Sequence, residues 1–300
     1  MGVMLDALRG VRWPTRRPVA AGLPGTHTSK QRGTSGEFTE YRLYRQGDDP
    51  RRLDWKLLAR SNRAFVRLTD DHALVSTWLV ADASASMAFP QTESDRRPTK
   101  WNFLRAIVVG LAAVAHASAD PVGLIVASGT GARLVPRTRR GMVREISRAL
   151  EETHCLGASA IAPLLSPLST NCRVVIVSDL LGDFEDTLGA AAQLVVSGAH
   201  VDCVHIVAIE ELELPDGSWL AIDPDASSNA PRALHRSARA EYRAAFDAFR
   251  VEAARRWRAI GAGYVEARTD VAPARVVRHI VSGALGEIAA DVTVAEGRRA

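Results

Sequence analysis

A chain of 300 residues, 47% hydrophobic and 24% charged, is long and apolar enough for one large domain, or a domain with a substantial appendage, and reads as soluble and globular. Three scattered cysteines, Cys155, Cys172 and Cys203, with no C-x-x-C pair, argue against a disulfide framework or a zinc site and for a reducing compartment. The net charge of +4 is too mild to argue for nucleic acid by itself.

The charge is uneven. Residues 1–63 hold thirteen Lys/Arg against six Asp/Glu, and the remainder is slightly acidic. A basic leader of this kind, residues 1–35, reads as a flexible, solvated arm; contact with an anionic membrane surface or nucleic acid is its other use. Residues 12–36 are rich in Pro, Gly, Thr and Arg without any period, and read as irregular. The opening "MGVMLDALRGVRW" has no signal-peptide apolar core. The longest apolar stretch, "AIVVGLAAVAHA" (106–117), is too short to span a bilayer, so a cytoplasmic protein is expected. Residues 36–75 mix aromatics, aliphatics and paired charges and read as an ordered segment packed on the main domain. In "GDDPRRLDW", Asp48, Asp49 and Asp54 are expected to pair with Arg51, Arg52 and Arg60, with the Trp55 ring buried at the junction.

From residue 76 to about 290 strands and helices alternate. "STWLVAD" (76–82) is a short buried strand. Thr99 caps a helix over 100–117. A strand over 122–128 pairs as a hairpin with 132–137, and an amphipathic helix follows over 141–153. A further helix is expected over 160–169, a strand over 173–179, a helix over 184–198 and a strand over 201–207. Residues 219–223 read as a short edge strand. Leu234, Ala238, Tyr242, Phe246, Phe249, Ala253, Trp257 and Ile260 form one apolar stripe, which predicts a long helix over 232–259 packed on a sheet. A strand over 263–268, a helix over 273–285 and a polar tail at 291–300 complete the chain. This pattern implies an α/β fold, doubly wound around a mostly parallel sheet.

Ligands of such folds sit at the carboxyl ends of the strands. There, "LVADASASMAF" (79–89) places Asp82, Ser84 and Ser86 as D-x-S-x-S. "GASAI" (157–161) offers Ser159, and "VIVSDLLGD" (175–183) ends a neighbouring strand in Asp179. Three hydroxyls and two carboxylates meeting at one rim suit Mg²⁺ or Mn²⁺, not zinc. The same serines have a plainer use, capping the turn after the strand.

The pair "DASAS" and "VSDL" resembles the metal-ion-dependent adhesion site of von Willebrand factor type A domains, and residues 36–67 resemble the signature of the bacterial domain of unknown function 58 family. Together the resemblance covers about residues 36–285. It implies Ser84 and Ser86 as direct metal ligands, with Asp82 and Asp179 acting through water. Ser159 falls where the family pattern usually has threonine. The resemblance also implies a non-enzymatic, metal-dependent interaction module working beside a MoxR-type AAA+ ATPase or a client protein, with a partner's acid completing the coordination. The alternative is a metal-dependent phosphohydrolase or another hydrolase using Asp82 and Asp179. Against it, the aspartyl-phosphate pattern wants a second aspartate where Ser84 stands, and no G-x-S-x-G elbow or Walker A lysine motif is present. No nucleic-acid module is recognised.

Overall fold

The computed structural model describes residues 2–14, 24–45, 53–90, 98–129, 131–213, 219–221, 225, 232–234, 238–283 and 286–287. The central sheet is built from β3 (Thr77–Asp82), β4 (Val122–Ala127), β5 (Arg133–Arg137), β6 (Arg173–Ser178), β7 (His200–Val207), β10 (Gly263–Arg268) and β11 (Gly286–Glu287). Its order is β11-β10-β7-β6-β3-β4-β5. All neighbours are parallel except β5, the expected hairpin partner, which runs antiparallel to β4. The fold is α/β and doubly wound, as the alternation of elements predicts.

The near-continuous apolar text of the strands has a simple cause. Successive strand residues face opposite sides, and here both sides are covered. Leu79 and Ala81, with Val175 and Val177, join one core; Trp78 and Val80, with Val174 and Ile176, join the other. The first core is closed by α3 (Lys100–Ala117), α4 (Met142–Glu151) and α9 (Pro273–Ser282). The second is closed by α5 (Ala162–Leu165), α6 (Phe184–Val196) and α8 (Ala238–Ala259). Thr99 caps α3 as expected, its hydroxyl accepting from Asn102 N at 3.1 Å. The stripe on α8 packs inward through Phe246, Ala253 and Trp257. Among the described residues no helix is long and apolar enough to cross a membrane.

Three expectations are corrected. The first is the long helix, which begins at Ala238, because Leu234 belongs to β9 (Arg232–Leu234). That strand pairs antiparallel with β8 (Trp219–Ala221) as a separate two-stranded ribbon, so "WLA" is not an edge strand of the main sheet. The second is Trp55, which is 63% exposed rather than buried. It opens α2 (Trp55–Ser61), whose N-cap is Asp54; that carboxylate accepts from Leu57 N at 2.9 Å and the Tyr41 hydroxyl at 2.8 Å. Asp54 thus caps a helix; Asp48, Asp49, Arg51 and Arg52, on which the expected pairing falls, lie outside the described residues, as does the tail 291–300.

The third is the leader. Residues 24–35 belong to β1 (Pro24–Leu43), which pairs antiparallel with β2 (Phe65–Ala73). Residues 2–14 dock on the domain instead of forming an arm: α1 (Gly2–Ala7) lies against α3 and α9, and Leu8 and Trp13 are buried. Gly110 makes room there; a Cβ on it would stand 2.9 Å from Val277. The anchor is Arg173, itself buried, whose guanidinium lies 4.2 Å over the Trp13 ring and donates to the Trp13 carbonyl. It also faces Asp120 at 3.5 Å. Composition alone hid this, since the partner of Trp13 lies 160 residues away.

Two outcomes follow from this packing. Trp13→Ala should lower unfolding stability in urea by about 3–5 kcal/mol, whereas truncating a free arm would cost nothing. The second concerns His205, buried on β7 with Nδ1 2.6 Å from the Tyr264 hydroxyl. Burial lowers its pKa from 6.5 to about 4. The unfolded chain takes up a proton near 6.5 that the folded chain refuses until about 4, so the neutral ring's contribution is complete above 6.5 and lost as pH falls toward 4. The stability cost of His205→Asn should therefore shrink by about 2 kcal/mol between about pH 7 and about pH 4.5.

Candidate functional site

The parallel register sets Ala81 opposite Val177, so the residues that follow them, Asp82 and Ser178, emerge side by side at the carboxyl edge. The Ser178 hydroxyl donates to Asp82 Oδ2 at 2.5 Å. The chain then turns sharply, and Ser84 N donates back to Asp82 Oδ1 at 2.9 Å, the local turn an aspartate favours. A single 3-10 turn, Ala85–Ala88, brings Ser86 round until its Oγ is 3.0 Å from Ser84 Oγ.

A second loop is stitched to this one by main-chain bonds. Leu156 N donates to the Ala83 carbonyl at 3.2 Å, and Ala85 N donates to the Gly157 carbonyl at 2.9 Å. Gly157 takes a φ of +60°, which glycine adopts without strain. The result places Ser159 with its hydroxyl 2.6 Å from Asp82 Oδ1. The third loop leaves β6. Leu180 is held at φ +58°, unusual for a branched side chain, and its N–H is taken by Ser178 Oγ at 2.9 Å.

Asp82, Ser84, Ser86 and Ser159 are thus brought together as the sequence predicts, and all but Ser159 are buried. Asp179 joins the same rim, close enough for the Ser86 side chain to help lower its pKa. Its strongest partner was not foreseen. Lys100 Nζ lies 2.6 Å from Asp179 Oδ2 and 2.8 Å from Glu211 Oε1, with the lysine side chain 1% exposed. Glu211 belongs to the short helix α7 (Ile209–Leu212), and its other oxygen accepts from Ala208 N at 2.8 Å. Asp225 is the fourth residue the sequence did not flag, after Ser178, Lys100 and Glu211. Its Oδ1 accepts from Ser86 N at 3.0 Å. Lys100 alone carries a signal: a lysine just after an N-cap faces the positive end of the helix dipole, a poor position unless acids await it.

The electrostatics divide the carboxylates. Burial, then the charge of Asp179, raises the pKa of Asp82 above the ordinary carboxylate value. Burial would raise Asp179 too, but the charge and hydrogen bond of Lys100 outweigh it and hold this group low. Burial works against the Lys100 charge; Asp179 and Glu211 overcome it and hold the lysine above its usual value. The neighbouring Cys155 thiol is pushed up to about 12 by burial and by Asp82, Asp179 and Asp225, so it is not a nucleophile near neutral pH.

Among the described residues no cluster of three His, Cys, Asp or Glu side chains forms a metal cage. The hydroxyl set fits a small hard cation better. Ser84 and Ser86 Oγ are hydrogen-bonded to each other at 3.0 Å, a separation that adjacent corners of an octahedron with bonds of about 2.1 Å also have.

A parallel, doubly wound sheet whose central strand ends in D-x-S-x-S, with S-D on the strand beside it, defines a von Willebrand factor type A-like domain. Within that class the chain belongs to the family described as Protein of unknown function DUF58, whose model matches residues 40–255. Curated relatives include the uncharacterized proteins Rv1480 of Mycobacterium tuberculosis and Mb1516 of Mycobacterium bovis, each 29% identical and covering 94% of this chain and 90% of its own length. Similar solved structures include an aerotolerance-related membrane protein of Bacteroides fragilis (14% identity, 69% of this chain, 98% of that one, TM-score 0.43). BatB of Bacteroides thetaiotaomicron is another (16% identity, 69% of this chain, 97% of that one, TM-score 0.43).

Ser178 is the structural test of the site. Ser178→Ala deprives both Asp82 Oδ2 and the Leu180 N–H of a buried partner and should cost about 1–3 kcal/mol in urea unfolding.

Proposed function

We propose that this rim is a metal-dependent protein-docking site. Ser84 and Ser86 bind Mg²⁺ or Mn²⁺ directly, Ser159 stands beside them, and Asp82 and Asp179 act through water. The convergence of the Ser84, Ser86 and Ser159 hydroxyls with Asp82 and Asp179 at one strand edge carries the reading. Bound there, the ion supplies an electrophilic coordination position that an Asp or Glu of a partner fills.

The chain's own residues do the rest. Asp82 orients the hydroxyls of Ser159 and Ser178 and the turn at Ser84. Both its oxygens are occupied in doing so, which supports docking over phosphoryl chemistry on this carboxylate. Phe89, Leu156 and Leu181, one on each of the three loops, are exposed around the rim and offer apolar contact to the residues flanking the partner's acid. The partner is a MoxR-type AAA+ ATPase or its client protein, met in the cytoplasm.

The test has two parts. Mn²⁺ titration followed by electron paramagnetic resonance should show binding to the wild type and at least about a tenfold loss in the Ser84→Ala/Ser86→Ala double variant. A MoxR-type ATPase from native lysate should be retained on immobilised protein in Mg²⁺ and released by EDTA. Retention that ignores EDTA and both substitutions would move the contact away from this rim.

A further inference from the structure

The metal-docking reading leaves Lys100 unexplained. A lysine 1% exposed and paired to one acid of a cation site is an expensive choice, since it opposes the charge the site is built to attract. Its surroundings show a fixed arrangement. Asp179 Oδ2 and Glu211 Oε1 take two of its protons, and the Phe89 ring lies 5.8 Å away. Asp179 is fixed at its other oxygen by Leu181 N at 3.2 Å, and Glu211 by Ala208 N. Neither acid needs the lysine merely to find its place.

The charges decide what this does. Facing the hydroxyls are Asp82 and Asp179, with Asp225 half-buried on Ser86 N. Lys100 offsets Asp179 directly, and Glu211 draws on the lysine from its other side. In a buried setting these charges act over short distances at reduced screening. A dication approaching Asp179 meets a carboxylate already neutralised and an ammonium it repels.

We propose that Lys100 is a resident counter-cation that holds the site's own affinity for divalent metal low, so that the ion is held tightly only when a ligand's carboxylate adds its charge. This rests on the metal-docking reading and turns it into a conditional site: metal and acidic ligand bind cooperatively, each raising the affinity for the other by the same factor.

The two partners of the ion pair give opposite signs, which separates charge from scaffolding. Lys100→Gln keeps an N–H for Asp179 and removes the charge; it should bind Mn²⁺ at least about tenfold tighter than the wild type. Glu211→Gln leaves the ammonium to Asp179 alone and the site one charge less negative, and should bind Mn²⁺ several-fold weaker. If Lys100 only props Asp179, both substitutions weaken binding, and the proposal fails. Acetate, standing in for the partner's carboxylate, should tighten Mn²⁺ binding in the wild type more than in Lys100→Gln. If Lys100→Gln does not fold, the Lys100→Gln/Glu211→Gln variant carries the test, because it removes a charge of each sign; it should bind tighter than the Glu211→Gln protein, and equal or weaker binding overturns the proposal. Wild type that binds Mn²⁺ with no tightening in Lys100→Gln sinks this inference alone. Wild type and variants that all fail to bind Mn²⁺ sink the metal-docking reading with it.

Discussion

A carboxylate buried at the end of a central strand has to be satisfied, and the way Asp82 is satisfied organises the whole carboxyl edge of this protein. Its two oxygens take hydrogen bonds from the Ser84 main chain and from the hydroxyls of Ser159 and Ser178. Those donors come from two loops and from the end of the neighbouring strand β6. An unpaired carboxylate in this setting costs several kcal/mol, so each loop is held to the position from which it can donate. The left-handed Leu180 and the glycine at 157 are the backbone adjustments that permit it. The buried hydroxyls of Ser84 and Ser86 inherit their spacing from this constraint.

The sheet supplies what the loops cannot. Six-residue strands with apolar side chains on both faces fix the register, because slipping by one residue would exchange the two cores. Register then fixes which side chains leave the edge together: Asp82 beside Ser178, and Asp179 one step beyond. The site is therefore positioned by the core beneath it, and depends on residues such as Val80 and Ile176 that lie in the sheet's interior.

Much of this was legible because it is local. A buried strand of period two, a threonine cap and a glycine or proline boundary leave marks within a few residues, so Thr77–Asp82, Lys100–Ala117 and Gly263–Arg268 fall within a residue of where the pattern puts them. D-x-S-x-S was equally plain, since strand topology alone brings its neighbours to it. What escaped depends on distant partners. Nothing near Trp13 announces Arg173, nothing near Lys100 announces Glu211, and the Trp55 ring lies outside because its helix packs little against the domain. The β8–β9 ribbon pairs two strands of three residues, below the length at which alternation can be read. Ser178 was hidden for another reason: a serine ending an apolar strand looks like its last residue until the neighbouring acid is known.

The Arg173 anchor has a geometrical corollary. Arg173 begins β6 and Ser178 ends it, so the N-terminal residues are fastened at one pole of the sheet and the hydroxyl rim opens at the other. At about 3.3 Å per residue the two poles stand about 17 Å apart. Whatever holds this protein by its first residues leaves the rim pointing outward, toward whatever comes to meet it.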